Sequence, residues 1–524
     1  MVGVTSKSWA IALEGLGGHP VEVETHVASG LPKFVLIGLP DASLGEAKDR
    51  IRAALNSVGA KLPPERVTTN MSPASLRKHG SGFDVAIAAS ILGATGVIDR
   101  AACARNAHIG EVSLTGSVRP VPGVLPAVLA ARNNGFDAVL VPAASEAEAR
   151  LVTGIRIVPI ASIYDLAVHY GAESTLLNAP SEQPVPMPAS EAQSASRRAA
   201  PDLRDVLGQE DAVRALMVAA AGGHHMYLVG PPGSGKTMLA ERLPGILPDL
   251  DARRAIEVAA LRSLRGLAIP DQLSLRPPFQ APHHTASAVA LIGGGSGAIA
   301  PGALSLAAHG VLFLDEAPEF PRHVLDSLRQ PLESGEITIH RARQSATFPA
   351  QAQLILAANP CPCGNAGAAD LDCECTPQTR RRYLSRLSGP LLDRVDVQLH
   401  VEKVGIAAIK MQADGAVGSI DTTHAAAVVG EARARTRHRL ADSGIDSNAE
   451  VTGAMLRSQA LRPEPGAADI LDEALVRGQI SMRGYARVQR VAWTIADLAG
   501  RRRPNASHVA EALYYRVRDP QKGA

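Results

Sequence analysis

The spacing of apolar residues divides the chain into four stretches. From the start to about residue 172, alternating or apolar runs such as Val21-Glu-Val-Glu24 and Phe34-Val-Leu-Ile37 predict strands. Segments 43–58 and 124–134 carry apolar residues at helical spacing, so an α/β domain is expected there. Between 173 and 200 the periodicity stops and proline and serine accumulate, as in Pro180-Ser-Glu-Gln-Pro-Val-Pro-Met-Pro-Ala-Ser190, which reads as a linker or as a strap along the next domain. From 201 to 402 the runs Met226–Val229, Val311–Leu314 and Leu354–Ala358 are wholly apolar, as parallel strands covered on both faces must be. Within that stretch, Ile337-Thr-Ile339 and Ser345-Ala-Thr-Phe348 flank a short basic segment and predict a hairpin with Arg341 and Arg343 at its tip. The final stretch, 403–524, predicts a helical domain, with apolar residues three to four apart over 423–441, 466–478, 481–498 and 505–515.

Composition narrows this picture only a little. A chain of 524 residues with 46% hydrophobic content can bury several cores, and a formal net charge of +2 exerts no general pull on polyanions. A polyanion site must therefore rest on local clusters such as Arg380-Arg381-Arg382, Arg501-Arg502-Arg503 or the hairpin tip. No run is long and apolar enough for a membrane span and the first residues lack the order of a signal peptide, so a cytoplasmic location without membrane association is expected. In a reducing compartment Cys361, Cys363, Cys373 and Cys375 point to a structural Zn²⁺, which takes four thiolates; free thiols or a disulfide are the alternatives. Cys103 stands apart and reads as a core residue.

The most specific chemistry lies in Gly230-Pro231-Pro232-Gly233-Ser234-Gly235-Lys236-Thr237, preceded by a strand and followed by helix formers. Such a loop turns backbone N–H groups toward phosphate oxygens, Lys236 reaches the β and γ phosphates of ATP, and the Thr237 hydroxyl ligates Mg²⁺. Downstream, Val311–Leu314 ends in Asp315 and Glu316. In a phosphate-loop enzyme this places Asp315 on Mg²⁺ and Glu316 on the attacking water. His283 and His284 offer imidazoles, but no carboxylate stands near them in sequence to complete a metal site.

Several segments carry a resemblance. Leu31-Pro-Lys-Phe-Val-Leu-Ile-Gly-Leu-Pro-Asp41, Asn70-Met-Ser-Pro-Ala74 and Lys78-His-Gly-Ser-Gly-Phe-Asp84 resemble the N-terminal domain of the ComM/YifB family of magnesium-chelatase-like ATPases, and together with the nucleotide motifs the resemblance extends over nearly the whole chain. It implies an S5-like, Lon-protease-like α/β domain over 1–172, a linker over 173–200, an AAA+ core over 201–402 with a four-cysteine insertion at 361–375, and a helical lid over 403–524. Laid on a Lon-type site, the serine position falls at Gly82 and the lysine position at Leu125, so proteolysis is not expected. Ser81 with Lys78 is the conceivable substitute. The resemblance also makes Asn359 a sensor of the γ-phosphate, Arg394 of Leu391-Leu-Asp-Arg394 a finger inserted into a neighbour's site, and Arg483 a second γ-phosphate contact, with Arg487 as runner-up. An ion pair of Arg394 with Asp393 or Asp396 is the alternative for the finger. The implied activity is that of a hexameric, ATP-driven DNA motor in branch migration during natural transformation, with Arg341 and Arg343 gripping phosphates. A magnesium-chelatase motor subunit and an ATP-switched protein-binding module are the rival readings.

Overall fold

The computed structural model describes residues 4–38, 42–76, 78, 80–179, 201–295, 299–341, 344–366, 373–405 and 420–517. Most of the expected linker, Arg343 and part of the cysteine insertion therefore lie outside the described residues.

The first unit is a sheet built on a long hairpin, β1 (Val4–Glu14) and β2 (Gly17–Ala28), joined by β3 (Lys33–Ile37), β4 (Arg66–Ser72), β5 (Ala107–His108), β6 (Ala138–Pro142) and β7 (Arg156–Ile160) in the order β3-β4-β2-β1-β5-β6-β7. The expected Val21–Glu24 strand is the middle of β2, where Val21 and Val23 face the core and Glu22 and Glu24 face outward. Helices α1 (Ala42–Ser57), α2 (Asp84–Ala94) and α3 (Val124–Asn133) cover the sheet. All eleven residues of α2 are buried, so this helix is apolar on every side and has no amphipathic signature. The substitute Ser–Lys pair is not assembled, because Ser81 bonds Glu111 and Lys78 bonds the carbonyl of Pro73. Leu125, at the lysine position, is fully buried in the first turn of α3.

The second unit is an all-parallel sheet. Its strands β8 (Met226–Val229), β9 (Phe279–Gln280), β10 (Val311–Leu314), β13 (Gln353–Ala358) and β14 (Val397–His400) run in the order β9-β10-β13-β8-β14, with the hairpin β11 (Glu336–Arg341) and β12 (Gln344–Pro349) inserted before β13. Every residue of β8, β10 and β13 is buried, which is why the runs are apolar; Gln353, at the start of β13, is buried with its Nε2 donating to the carbonyls of Ala219 and His224. Helices α4 (Glu210–Gly222), α5 (Lys236–Ile246) and α6 (Ala252–Leu264) flank it. The four expected C-terminal helices are α7 (Thr422–Arg439), α8 (Pro465–Val476), α9 (Met482–Leu498) and α10 (Ala506–Val517). They share one apolar core with α4, α5 and β8: Val429, Leu471, Val491 and Val509 pack in the same cluster as Leu216, Leu228 and Leu243. At roughly 1.5–3 kcal/mol per fully buried aliphatic side chain, that shared core fixes the lid to the nucleotide sheet. This is the expected fold: an S5-like α/β unit, an AAA+ core and a helical lid.

Candidate nucleotide site

The phosphate loop leaves the C-terminal end of the central strand β8 and enters α5 at Lys236. Glycine is required at three points. A Cβ on Gly230 would lie 2.1 Å from the Val401 carbonyl oxygen, and Gly233 and Gly235, the latter just before the helix, have φ +74° and +85°. Gly233 faces open space, leaving room for a phosphate against the backbone. Buried Ser234 is held from behind, since Gln209 Nε2 donates to its carbonyl at 2.7 Å and to that of Glu402 at 3.3 Å. Pro231 and Pro232 stiffen the loop between these anchors.

Lys236 Nζ donates to the carbonyls of Gly230 (2.7 Å) and Pro231 (2.9 Å) and to Asn359 Oδ1 (3.3 Å). Burial lowers its pKa, while Asp315 and Glu316 oppose that shift. Thr237 Oγ1 donates to Asp315 Oδ2 at 2.8 Å. Two oxygens that share a Mg²⁺ at about 2.1 Å in octahedral geometry stand about 3 Å apart, so this pair fits one ion. The expected set Lys236, Thr237, Asp315, Glu316 and Asn359 thus converges at the ends of β8, β10 and β13.

Glu316 takes φ +49°, a left-handed conformation rare for a residue with a side chain. Its amide donates to Asp315 Oδ1 at 2.9 Å, and its Oε2 lies 3.3 Å from His284 Nδ1. His284 therefore does have a carboxylate partner, one that becomes its neighbour only through the fold. Its approach to Glu316, like the brace from Gln209, had no sequence signal of its own.

The four cysteines follow Asn359 directly. Cys361 Sγ lies 3.3 Å from Cys363 and 3.6 Å from Cys373, Cys363 and Cys373 are 3.5 Å apart, and all four sulfurs fall within 4.8 Å of one another. A disulfide needs about 2.05 Å, whereas thiolates at about 2.3 Å from a tetrahedral Zn²⁺ stand about 3.7 Å apart. The spacing fits a metal. The Asn365 amide and the neighbouring thiols bring the Cys363 thiol down to about 6, the thiolate form a metal requires, and burial pushes Cys361 up to about 12. The insertion sits against the phosphate loop: a Cβ on Gly364 would meet Pro232 Cδ at 2.6 Å.

Arg394 and Arg483 form a second group. They line a pocket with Glu333, Asp393, Arg487 and Arg490 that includes no phosphate-loop residue. The segment carrying Arg394 is clamped by the lid, with Arg487 Nη1 donating to the Arg394 carbonyl (3.1 Å) and to Asp396 Oδ1 (2.5 Å), and Arg516 Nη1 to the Val395 carbonyl (2.5 Å). Burial would raise the Asp396 pKa, but His224 at 2.9 Å and Arg487 hold it far below the usual carboxylate range. Neither acid named as an alternative partner of Arg394 pairs with it. Asp393 bonds Arg483 (3.4 Å) and Arg516 (3.2 Å), while Arg394 Nη2 lies 2.5 Å from Glu333 Oε1. At the hairpin, Arg341 is exposed opposite Gln344, and Arg343 lies outside the described residues. Among the described residues no helix is long and apolar enough to cross a membrane.

Comparison with known proteins gives one consistent answer. The family described as magnesium chelatase, subunit ChlI, matches residues 202–409, its C-terminal counterpart matches 419–516, and subunit ChlI of Mg-chelatase matches 23–145. An uncharacterized protein of Mycobacterium tuberculosis is 45% identical over 511 residues, covering 97% of this chain and 98% of its own. Competence protein ComM of Haemophilus influenzae is 38% identical over 507 residues and YifB of Escherichia coli 36% over 505, each covering 96% of both chains.

Proposed function

Because the chain belongs to the ComM and YifB family of magnesium-chelatase-type proteins, we propose that it hydrolyses ATP as a hexameric motor on DNA, driving branch migration when incoming DNA recombines. The observation that carries the ATPase part is the convergence of Lys236, Thr237, Asp315 and Asn359 within hydrogen-bond reach at the strand ends. ATP bound there supplies the phosphoanhydride, and Mg²⁺ neutralises its charge. With ATP bound, Lys236 would exchange its carbonyl partners for β- and γ-phosphate oxygens, and Thr237 and Asp315 would hold the metal. Glu316, swung from His284, orients the water and takes its proton on a carboxylate oxygen, while Asn359 fixes the water's position. Arg394 and Arg483, which line a separate pocket without phosphate-loop residues, serve the nucleotide of the adjacent copy. The competence name of the Haemophilus relative and the basic hairpin support the DNA part.

The test is ATP turnover measured in parallel without DNA and with single strands, forks and four-way junctions. Stimulation by branched DNA is expected, and it should fall steeply with salt because phosphates rather than bases are held. Arg341→Ala with Arg343→Ala should lose most of the stimulation while keeping DNA-free turnover. Rates indifferent to every DNA would instead favour an ATP-switched protein-binding module, and stimulation by a porphyrin-binding partner would favour a chelatase motor.

We assign the cysteine cluster to one structural Zn²⁺ per chain. Metal analysis of freshly reduced protein should find about one equivalent, and a strong chelator should lower the melting temperature, because binding free energy at a structural site is folding free energy. Metal-free protein with unchanged melting would remove the zinc.

A further inference from the structure

Arg394 is not idle in the subunit: its Nη2 contacts Glu333 Oε1 at 2.5 Å and its Nη1 donates to the Pro390 carbonyl at 2.6 Å. Its Nε is buried with no hydrogen-bond partner among the described residues, and the same is true of Arg490 Nε. The pocket they share, about 230 Å³, holds four arginines and two acids. One acid, Asp393, is taken by Arg483 and Arg516, so Glu333 is the carboxylate left to face the finger. A cavity so lined suits an anion with several oxygens, since a guanidinium matches phosphate with two parallel bonds.

The two members of the pair differ in freedom. Arg394 is 15% exposed and sits on the segment clamped by Arg487 and Arg516, whereas the Glu333 side chain is 70% exposed. Glu333 belongs to a single helical turn, Pro331–Ser334, ended by Gly335 at φ +74°. Immediately beyond it β11 begins. Ser334 Oγ donates to the Glu336 carbonyl at 2.8 Å, and the Ala350 amide donates to the Gly335 carbonyl at 2.8 Å, so both strands of the hairpin are rooted in the turn that carries Glu333.

Resting on the reading of Arg394 as a finger toward the adjacent copy, we propose that Glu333 is an internal stand-in for the terminal phosphate of that copy's ATP. Exchange of Glu333 for phosphate on Arg394 frees the turn at the root of the hairpin, and DNA pulling on the hairpin draws Glu333 off the finger. Nucleotide state and DNA grip are thereby linked through one carboxylate. Glu333 is a positioning residue, acting only through Arg394.

The experiment uses full-length hexamers of Glu333→Gln, Glu333→Asp and Arg394→Ala, each assayed for ATP turnover with and without a four-way junction. With the competitor removed, Glu333→Gln should raise DNA-free turnover about two- to fivefold, the range expected for loss of a partly exposed ion pair. The ratio of DNA-stimulated to DNA-free turnover should fall toward one. Glu333→Asp, which keeps the charge on a shorter stem, should lie between Gln and wild type. Wild-type DNA-free turnover in Glu333→Gln, alongside inactive Arg394→Ala, overturns the stand-in while leaving the finger in place. Normal turnover by Arg394→Ala removes the finger itself. Failure of both Glu333 variants to form hexamers would make the pair a structural tie and overturn the proposal as well.

Discussion

Glu316→Gln protein is expected to bind ATP as tightly as the wild type and to hydrolyse it roughly 10²–10⁴-fold more slowly, the span typical for loss of a positioned acid–base group. Lys236→Ala protein is expected to fail one step earlier, at binding. The reason lies in what each side chain touches. Lys236 reaches over the loop to the Gly230 and Pro231 carbonyls and across to Asn359, so its ammonium occupies the ground on which phosphate oxygens must sit. Among the described residues Glu316 forms no hydrogen bond with that loop and reaches Lys236 only through its charge: its amide is tied to Asp315 and its carboxylate to His284. The amide of Gln preserves shape and bonding capacity but cannot take a proton. Fluorescent-nucleotide titration and phosphate release, measured on the same preparations, separate the two outcomes. Glu316→Gln turning over at the wild-type rate would move the water-activating role to another residue, and Lys236→Ala binding ATP normally would remove the lysine from the phosphates.

How much of this was legible beforehand depended on where the partners lie along the chain. The phosphate loop could be read because strand, loop and helix are contiguous, and β10 and β13 because burial on both faces leaves the unbroken apolar runs Val311–Leu314 and Leu354–Ala358. The cysteines were equally plain, since their ligand set is local. Helix α2 was illegible for the opposite reason: buried on all sides, it has no polar face to set a period. Glu333 and Gln209 escaped because each is an ordinary polar residue until folding brings it to Arg394 or Ser234, and His284, singled out for its imidazole, acquires its carboxylate partner Glu316 only through the fold. Arg394 was nominated from its motif, yet the acids beside it in sequence are claimed by other arginines and by His224, and its own partner comes from the turn before the hairpin. Sequence neighbours of an arginine are poor guides to its ion pair when a lid folds back over the segment.

The second large effect concerns Arg394 and tests assembly and chemistry together. Arg394→Ala hexamers are expected to lose about 10³-fold or more in turnover while still binding ATP, because a finger compensates charge that develops only in the transition state. Within one subunit Arg394 opens onto a pocket with Arg483, Arg487 and Arg490 that includes none of Gly230 to Thr237, and the lid clamp prevents a long excursion of the backbone that carries it. On the proposed reading, the ATP that Arg394 serves is therefore that of an adjacent copy. Mixing follows as the decisive measurement: Arg394→Ala subunits keep an intact phosphate loop, Lys236→Ala subunits keep an intact finger, and a joint between one of each, in the right order, contains a complete site. Activity should therefore appear in mixtures of two preparations that are each inactive, and pass through a maximum as their ratio is varied. Mixed hexamers confirmed by mass yet inactive at every ratio would place the finger on its own subunit's nucleotide, and the clamp would then have to open during the cycle.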